Sequence, residues 1–155
     1  MEHFIQSTFE FFKSYPYLVP FLGAIFGGEE TIIIISGISA QGIIGFFTVV
    51  LFSFLGTLVS DSIWYFAGRT ILWDRIARWK RISKGYEKIA FIIETSTRGS
   101  HFLALLFTKF LYGTRIITIM YLSRERMKFL AFSFYNAAVT AIWIGVICPL
   151  GWLAG

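Results

Sequence analysis

Residues 29–61 read EETIIIISGISAQGIIGFFTVVLFSFLGTLVSD, and this stretch decides the class of fold. Thirty uncharged residues, 31–60, separate the acidic pair Glu29 and Glu30 from Asp61. Because a helix needs about 20 apolar residues to cross a bilayer, the run is long enough for a full span. A charge within a bilayer costs at least a few kcal/mol, so acidic residues beside such a span indicate a protein interior or a watery cavity.

The overall composition also indicates an integral membrane protein. Of the 155 residues, 56% are hydrophobic and only 15% are charged, and the mean hydropathy is +0.69. These values are too apolar for an ordinary soluble domain, and the length predicts a single membrane domain, residues 1–155. The net charge of +5 comes largely from one basic segment. It therefore indicates membrane topology and contact with anionic lipid headgroups, not nucleic acid binding.

The uncharged runs differ in length, and they predict an all-α, polytopic helical bundle. Residues 43–67 and 127–153 are each long enough for a transmembrane span. Residues 17–40 and 99–123 contain only short apolar arms, which reach about halfway through a core of about 30 Å. We expect both to be re-entrant helical hairpins, whose bends are tolerated at membrane depth only where protein or a cavity surrounds them.

Residues 69–93 form a basic segment with apolar residues at helical spacing. The positive-inside rule places this segment on the cytoplasmic side, as an amphipathic helix that lies on the membrane. Its simpler interpretation is a solvated topology anchor. Residues 1–16 are predicted to be an N-terminal interfacial segment and lack the features of a signal peptide. Since one span separates the two hairpins, they enter from opposite faces, which is typical of an inverted repeat.

Lys109 and Arg115 are the predicted phosphate-binding residues. Six positions apart on an unbroken helix, their side chains would point about 120° apart. A break at Gly113, which tolerates unusual backbone angles, would let both enter one cavity. Paired cations suit a phosphate, and arginine can bind two oxygens at once. The alternative is that the long side chains extend to an interface, and it applies more to Lys109 than to Arg115.

Glu30 and Asp61 are the predicted proton-coupling or charge-pairing residues. Reversible protonation of a buried carboxyl group would give a proton-coupled gate. Equally, the two acids would neutralise the basic residues as buried ion pairs, and the residues alone leave both interpretations open. Glu29 is a secondary candidate, because adjacent residues on a helix point about 100° apart and only one of the pair faces a given cavity.

Four motifs, in order and spacing, resemble the DedA family, also called the VTT or SNARE-associated Golgi protein family. They are GGEETIIIISGISAQG (27–42), DSIWYFAGR (61–69), FTKFLYGTR (107–115) and NAAVTAIW (136–143) followed by PLGWLAG. The resemblance covers about residues 21–155. It assigns Glu30 to the acidic position of the first hairpin, and Lys109 and Arg115 to the two basic positions of the second. The other matching positions are Asp61, Tyr65, Gly68, Arg69, Phe110, Gly113, Asn136 and Trp143.

The resemblance implies a flippase or scramblase that moves undecaprenyl phosphate or a phospholipid between leaflets, often with proton coupling, in the bacterial cytoplasmic membrane. The chain departs from the family pattern at three places. Gly27 and Gly28 stand where proline is expected, Tyr112 replaces a proline, and Lys109 replaces an arginine. We therefore expect looser bends and a point-charge contact from Lys109. Many relatives continue beyond the position of Gly155, so we expect a second copy or a partner subunit to cover the exposed surface.

Three other classes of function compete with lipid transport: an enzyme, a transporter of a small solute or ion, and a structural subunit. The only histidines are His3 and His101, and no grouping of a nucleophile with a base is present, so no enzyme activity is expected. No His/Cys cluster predicts a metal, and no cofactor is expected. A proton-coupled transporter of a small solute or ion is the alternative, because buried acids and bases serve it equally well. A purely structural subunit would leave the buried charges as an unexplained cost in stability.

Overall fold

The computed structural model describes residues 10, 13–70, 91, 95, 100–110, 115–125 and 127–155, apart from the side chains of Thr108 and Phe110. Every regular element in these ranges is an α-helix, which confirms the predicted all-α fold. The helices with described bounds are α1 (Leu18–Phe26), α2 (Gly28–Ala40), α3 (Phe46–Arg69), α4 (His101–Phe110), α5 (Arg115–Arg124) and α6 (Phe129–Ala154). The predicted segments 69–93 and 1–16 lie mostly outside the described residues.

Two of the described helices, α3 and α6, are long and apolar enough to cross a membrane. They have 24 and 26 residues, which correspond to about 36 and 39 Å at 1.5 Å per residue. Both coincide with the predicted spans 43–67 and 127–153, with shifts of one to three residues at their ends. Large apolar side chains such as Phe47 and Leu130 are almost fully exposed on these helices. Such surfaces suit contact with lipid.

The chain divides into two compact units. The first unit comprises Met1–Ser60 and Ala141–Gly155, and the second comprises Asp61–Thr140. The divisions fall inside α3 and inside α6, within continuous helices and not at a linker. The single membrane domain over 1–155 therefore stays a prediction.

In the first unit, α1 and α2 fold back on each other as a helical hairpin. A Cβ atom built on Gly23 would lie 2.8 Å from the Thr31 side chain and 2.9 Å from that of Ile35, so the two helices approach closely and run antiparallel. The bend is at Gly28, whose φ of 63° lies in the left-handed region that favours glycine. The hairpin matches the predicted range 17–40. Its depth in the membrane, like the inverted repeat, stays a prediction.

Glycine also lets the hairpin of the first unit pack tightly on the long helices. A Cβ atom on Gly56 of α3 would overlap the carbonyl oxygen of Phe21 on α1. On α6, a Cβ atom on Gly151 would lie 2.7 Å from the carbonyl oxygen of Ile33. The Ser36 hydroxyl of α2 donates a hydrogen bond of 2.8 Å to the carbonyl oxygen of Cys148. Small residues and side-chain hydrogen bonds of this kind are the usual means of association between membrane helices.

The second unit is built on an aromatic contact between α3 and α6. The ring of Tyr65 stacks on that of Phe132 with centroids 4.6 Å apart, and Phe66 contacts Phe129 at 4.8 Å. Residue numbers rise along α3 as they fall along α6, so the two segments run antiparallel. Helices α4 and α5 complete the core. Its buried apolar residues are Tyr65, Ala104, Leu105, Ile119, Tyr121, Leu122, Met127, Phe132 and Val139.

The end of α3 holds the connection between α5 and α6. The Tyr65 hydroxyl donates a hydrogen bond to the carbonyl oxygen of Met127. Arg69 donates from Nε to the carbonyl oxygen of Ser123 at 3.2 Å and from Nη2 to that of Met127 at 2.7 Å. Its guanidinium carbon also lies 4.8 Å from the centre of the Tyr65 ring. Because the last carbonyls of a helix have no partner within the helix, Arg69 completes the C-terminal end of α5.

Candidate functional site

Three of the predicted site residues form a buried charge cluster in the second unit. Lys109 Nζ lies 2.8 Å from Asp61 Oδ2, and Arg115 Nε donates a hydrogen bond of 2.7 Å to Asp61 Oδ1. The side chains of Asp61 and Lys109 are 0% and 2% exposed, and that of Arg115 is 13% exposed. One carboxylate therefore pairs with two cations at a position that is almost closed to solvent.

Helix packing holds the three members of this cluster in place. Each lies one helical turn from a buried core residue on the same face of its own helix: Asp61 before Tyr65, Lys109 after Leu105, and Arg115 before Ile119. The packed core of α3, α4 and α5 thus fixes the position from which each charged side chain extends. The cluster is consequently set by the fold and does not depend on surface loops.

The convergence of Lys109 and Arg115 requires that they lie on separate helices. The described part of α4 ends at Phe110, α5 begins at Arg115, and the two helices pack on each other through the shared core. On one continuous helix, residues six apart would be separated by about 9 Å along the axis and could not meet the same carboxylate so closely. The expected convergence is therefore present. The predicted break at Gly113 lies outside the described residues.

The two cations occupy different positions relative to the helix dipoles. Lys109 is in the last turn of α4, where a positive charge is favourable. Arg115 is the first residue of α5, where the partial positive charge of the helix opposes a cation by about 0.3–1 kcal/mol. The helix dipole therefore does not explain why an arginine is the first residue of α5. The ion pair with Asp61 offsets the unfavourable interaction between Arg115 and the helix dipole, and a bound anion would offset it as well.

The cluster carries an excess of positive charge. Two cations face one carboxylate, so these three side chains sum to one positive charge. Arg115 Nη2 is 2.5 Å from Asp61 Oδ1, but it is not aligned to donate a hydrogen bond to that oxygen or to any other described group. A guanidinium has five N–H donors, and Asp61 uses only the Nε edge. The described hydrogen bonds of Arg115 therefore leave most of its N–H donors without an acceptor.

Asn136 lies on α6 in the same unit. It is buried, and its Oδ1 atom has no hydrogen-bond partner among the described residues. Tyr65 and Arg69, the other secondary candidates of the second unit, serve the α5–α6 connection as described above. Their hydrogen bonds place them in support of the helix that carries Arg115. They do not contact the charge cluster in any hydrogen bond or ion pair of the described residues.

Glu29 and Glu30 belong to the first unit. They occupy the first turn of α2, where acidic side chains are favourable for the helix dipole. Glu29 is half-buried and Glu30 is exposed. Asp61 pairs with Lys109 and Arg115 in the second unit. A role for Glu30 in proton coupling or charge pairing stays a prediction.

Sequence reasoning missed several buried hydroxyl groups. Thr140 is buried one helical turn after Asn136, and its Oγ1 atom has no described partner. In the first unit, the side-chain hydroxyl groups of Ser53 and Thr57 are likewise buried and have no described hydrogen-bond partner. The spacing of four between Asn136 and Thr140 within NAAVTAIW was the available signal, since it places both on one helix face. Within the described residues, no three His, Cys, Asp or Glu side chains are grouped to hold a metal ion.

These features define a helical membrane protein with a buried, cationic site formed where two short helices meet a membrane span. The chain belongs to the VTT domain family, whose model matches residues 18–153. The expected resemblance to the DedA family is thereby confirmed. Inner membrane protein YohD of Escherichia coli (strain K12) is 25% identical over 144 residues, which cover 92% of this chain and 72% of YohD. No solved structure matches the chain.

Proposed function

We propose that this protein moves a phosphate-bearing lipid between the two leaflets of a membrane, with Arg115 and Lys109 as the groups that bind the phosphate. The observation that supports it is the excess positive charge of the Asp61–Lys109–Arg115 cluster. Two cations that share one carboxylate give these three side chains a positive sum, and a site of this kind favours an anionic ligand. Membership of the VTT domain family supports membrane transport as the general activity.

The chemistry of the two cations favours phosphate. Arg115 has unused N–H donors in a planar fork, which matches two oxygens of one phosphate. Lys109 adds a compact positive charge without a fixed geometry. A headgroup at this site would exchange its hydration shell for these donors. That exchange is the main requirement for carrying a polar headgroup through the apolar interior of a bilayer.

Asp61 would act as an internal competitor for the cations. When it is deprotonated, its two oxygens occupy Lys109 Nζ and Arg115 Nε. Protonation would remove the charge that holds them and free both cations for phosphate. Proton binding would then favour headgroup binding, and proton release would favour headgroup exit. Glu30 of α2 is the second acidic group of the proposal and would take part in the same proton cycle.

The lipid and the membrane follow from the same proposal. Undecaprenyl phosphate and a glycerophospholipid both carry an anionic phosphate that suits the two cations. The relative YohD is named an inner membrane protein, and we propose the bacterial cytoplasmic membrane as the location of this chain. Protons and membrane lipids are then its partners, together with a second copy or a partner subunit.

Reconstitution into vesicles tests the proposal. The purified protein is placed in liposomes that contain a trace of a fluorescent phospholipid or of a polyprenyl phosphate, and the fraction of lipid that changes leaflet is followed with a membrane-impermeant quencher. We expect Arg115→Gln and Lys109→Gln to abolish movement. The matched controls are Arg124→Gln, at the exposed opposite end of α5, and Lys128→Gln, which is also exposed; both should retain it.

The same vesicles distinguish lipid transport from its alternative. Uptake of radiolabelled amino acids, inorganic phosphate or rubidium is measured with an imposed pH gradient. Movement of lipid without solute uptake supports the proposal. Uptake of a solute by the wild-type protein, lost in Arg115→Gln while lipid remains stationary, would establish the proton-coupled solute transporter instead.

A further inference from the structure

Two polar side chains of α6 present buried oxygens that have no described protein partner. Asn136 is 1% exposed and Thr140 is 0% exposed. Neither Asn136 Oδ1 nor Thr140 Oγ1 takes part in a hydrogen bond within the described residues. Because the residues are four apart, they are neighbours on one face of the helix. Unpaired buried oxygens destabilise a fold, so a pair of them on one face indicates a place for a ligand.

The helix register brings Asn136 to the level of the charge cluster, and Thr140 lies one turn further along α6. Tyr65 of α3 stacks on Phe132 of α6, and the two segments run antiparallel. One turn back from Tyr65 is Asp61, and one turn forward from Phe132 is Asn136. Since both steps go in the same direction along the two helices, Asn136 is at the level of Asp61 on the facing helix. Asn136 therefore belongs to the same layer of the second unit as the cations.

The hydrogen-bonding types of the two groups restrict what they bind. An amide oxygen only accepts, and a threonine hydroxyl both donates and accepts. Lys109 and Arg115 only donate, so they satisfy the bare oxygens of an anion. A ligand that satisfies both sides combines anionic oxygens with a hydrogen-bond donor, and a hydroxyl group, which both donates and accepts, matches the Thr140 hydroxyl as well as the Asn136 amide oxygen. We propose that Asn136 and Thr140 form a specificity-determining pair that binds a hydroxyl group beside the phosphate held by Lys109 and Arg115.

This inference rests on the proposed function and extends it to the selection of the headgroup. The hydroxyl group has two sources: the headgroup itself, or a water molecule that is resident beside Asn136 and Thr140 with and without lipid. Both supply the same O–H donor. The two sources differ in whether the contribution of Asn136 depends on the chemistry of the headgroup.

Binding of short-chain lipids to the purified full-length protein separates these sources. The probes are dihexanoyl phosphatidylglycerol, which carries hydroxyl groups, and dihexanoyl phosphatidylcholine, which carries none. The variants are Asn136→Leu and Thr140→Val, which keep the approximate shape and remove the hydrogen bond. Ser133→Ala on the same helix is the matched control, and Thr140→Ser restores the hydroxyl group.

We expect Asn136→Leu and Thr140→Val each to weaken phosphatidylglycerol binding about fivefold to tenfold, the effect of one lost hydrogen bond. Unchanged phosphatidylcholine binding would identify the headgroup as the source of the hydroxyl. An equal loss for both lipids would identify water. Ser133→Ala and Thr140→Ser should bind as the wild-type protein does. Wild-type affinity of Asn136→Leu and Thr140→Val for both lipids would overturn the inference.

Thermal unfolding without lipid tests the role of Thr140 independently of any defect in lipid binding. Replacing an unpaired buried hydroxyl by a methyl group of the same shape is neutral or stabilising, whereas displacing a resident water is destabilising. Thr140→Val should therefore unfold at or above the wild-type temperature if the headgroup supplies the hydroxyl, and below it if water does. Lipid binding that is insensitive to Arg115→Gln would instead refute the proposed function, independently of Asn136.

Discussion

Replacement of Asp61 by asparagine should be the most destabilising conservative change in the second unit. The substitution keeps the shape of the side chain and removes the negative charge that faces Lys109 Nζ at 2.8 Å and Arg115 Nε at 2.7 Å. The carboxylate that both buried cations share would then be lost. Removal of one partner of a buried ion pair costs about 3–5 kcal/mol. We expect the free energy of unfolding of Asp61→Asn to fall by this amount.

Substitutions of Arg115 and Lys109 give stability losses with which the effect of Asp61→Asn can be compared. Arg115→Gln leaves the Asp61–Lys109 pair intact, with no net charge, so its cost should be smaller, about 1–3 kcal/mol. Adding Lys109→Met to Asp61→Asn removes one of the two cations that have lost this carboxylate and should recover part of the lost stability. Glu125→Gln, an exposed acid at the end of α5, is the matched control and should have no measurable effect.

Unfolding in mixed detergent and SDS micelles, followed by tryptophan fluorescence, measures these differences. The expected order of stability is wild type, then Arg115→Gln, then the double variant, then Asp61→Asn. Coincident transitions for Asp61→Asn and the wild-type protein would refute the reasoning. So would an Asp61→Asn variant that is more stable than Arg115→Gln, because the carboxylate would then not be the counter-charge of both cations.

Three further substitutions test the contacts that support the site, all by the same unfolding measurement. Arg69→Lys cannot retain the hydrogen bonds to both Ser123 and Met127, and it should lower stability by about 1–2 kcal/mol; hydrogen exchange at residues 123–127 should increase with it. Tyr65→Phe loses the hydrogen bond to Met127 and should cost about 0.5–1.5 kcal/mol, and no loss would exclude that bond. Gly68→Leu would overlap Ser123 and Met120 of α5 and should cost at least about 1–3 kcal/mol, whereas a silent substitution would show that the two helices are not in close contact.

The two membrane-length helices and the bend between α1 and α2 were predictable from the sequence because they depend on local properties. Runs without charge give α3 and α6, and their length distinguishes spans from short arms. The helix bounds around Gly28 follow from a backbone conformation that glycine favours. Position in the membrane is different. It depends on the surroundings of a helix and not on its own residues, so hairpin depth and the inverted repeat cannot be derived from periodicity alone.

The candidate site was predictable only in part. Lys109 and Arg115 were recognisable because cations are rare in apolar runs, and a glycine between them made convergence feasible. The sequence did not show which acidic residue pairs with these cations, because Asp61 is 48 residues from Lys109 in the chain. Sequence patterns cannot rank Asp61 against Glu30 without the packing of α3 on α4 and α5. Thr140 was missed for a similar reason, since a threonine in a span is ordinary until its hydroxyl is found buried and unpaired.

The central claim is that the guanidinium of Arg115 binds the phosphate of a lipid. Solid-state NMR of the protein in bilayers, with ¹⁵N-labelled arginine and a ³¹P-containing headgroup, measures this contact directly through the nitrogen–phosphorus dipolar coupling. We expect a nitrogen–phosphorus separation of about 4 Å, which corresponds to a charge-assisted hydrogen bond from Arg115 to a phosphate oxygen, and we expect this coupling to be lost in Arg115→Gln but not in Arg124→Gln. A wild-type protein without phosphorus coupling to the Arg115 guanidinium would contradict it, as would an Arg115→Gln variant that keeps every arginine–phosphorus coupling of the wild-type protein.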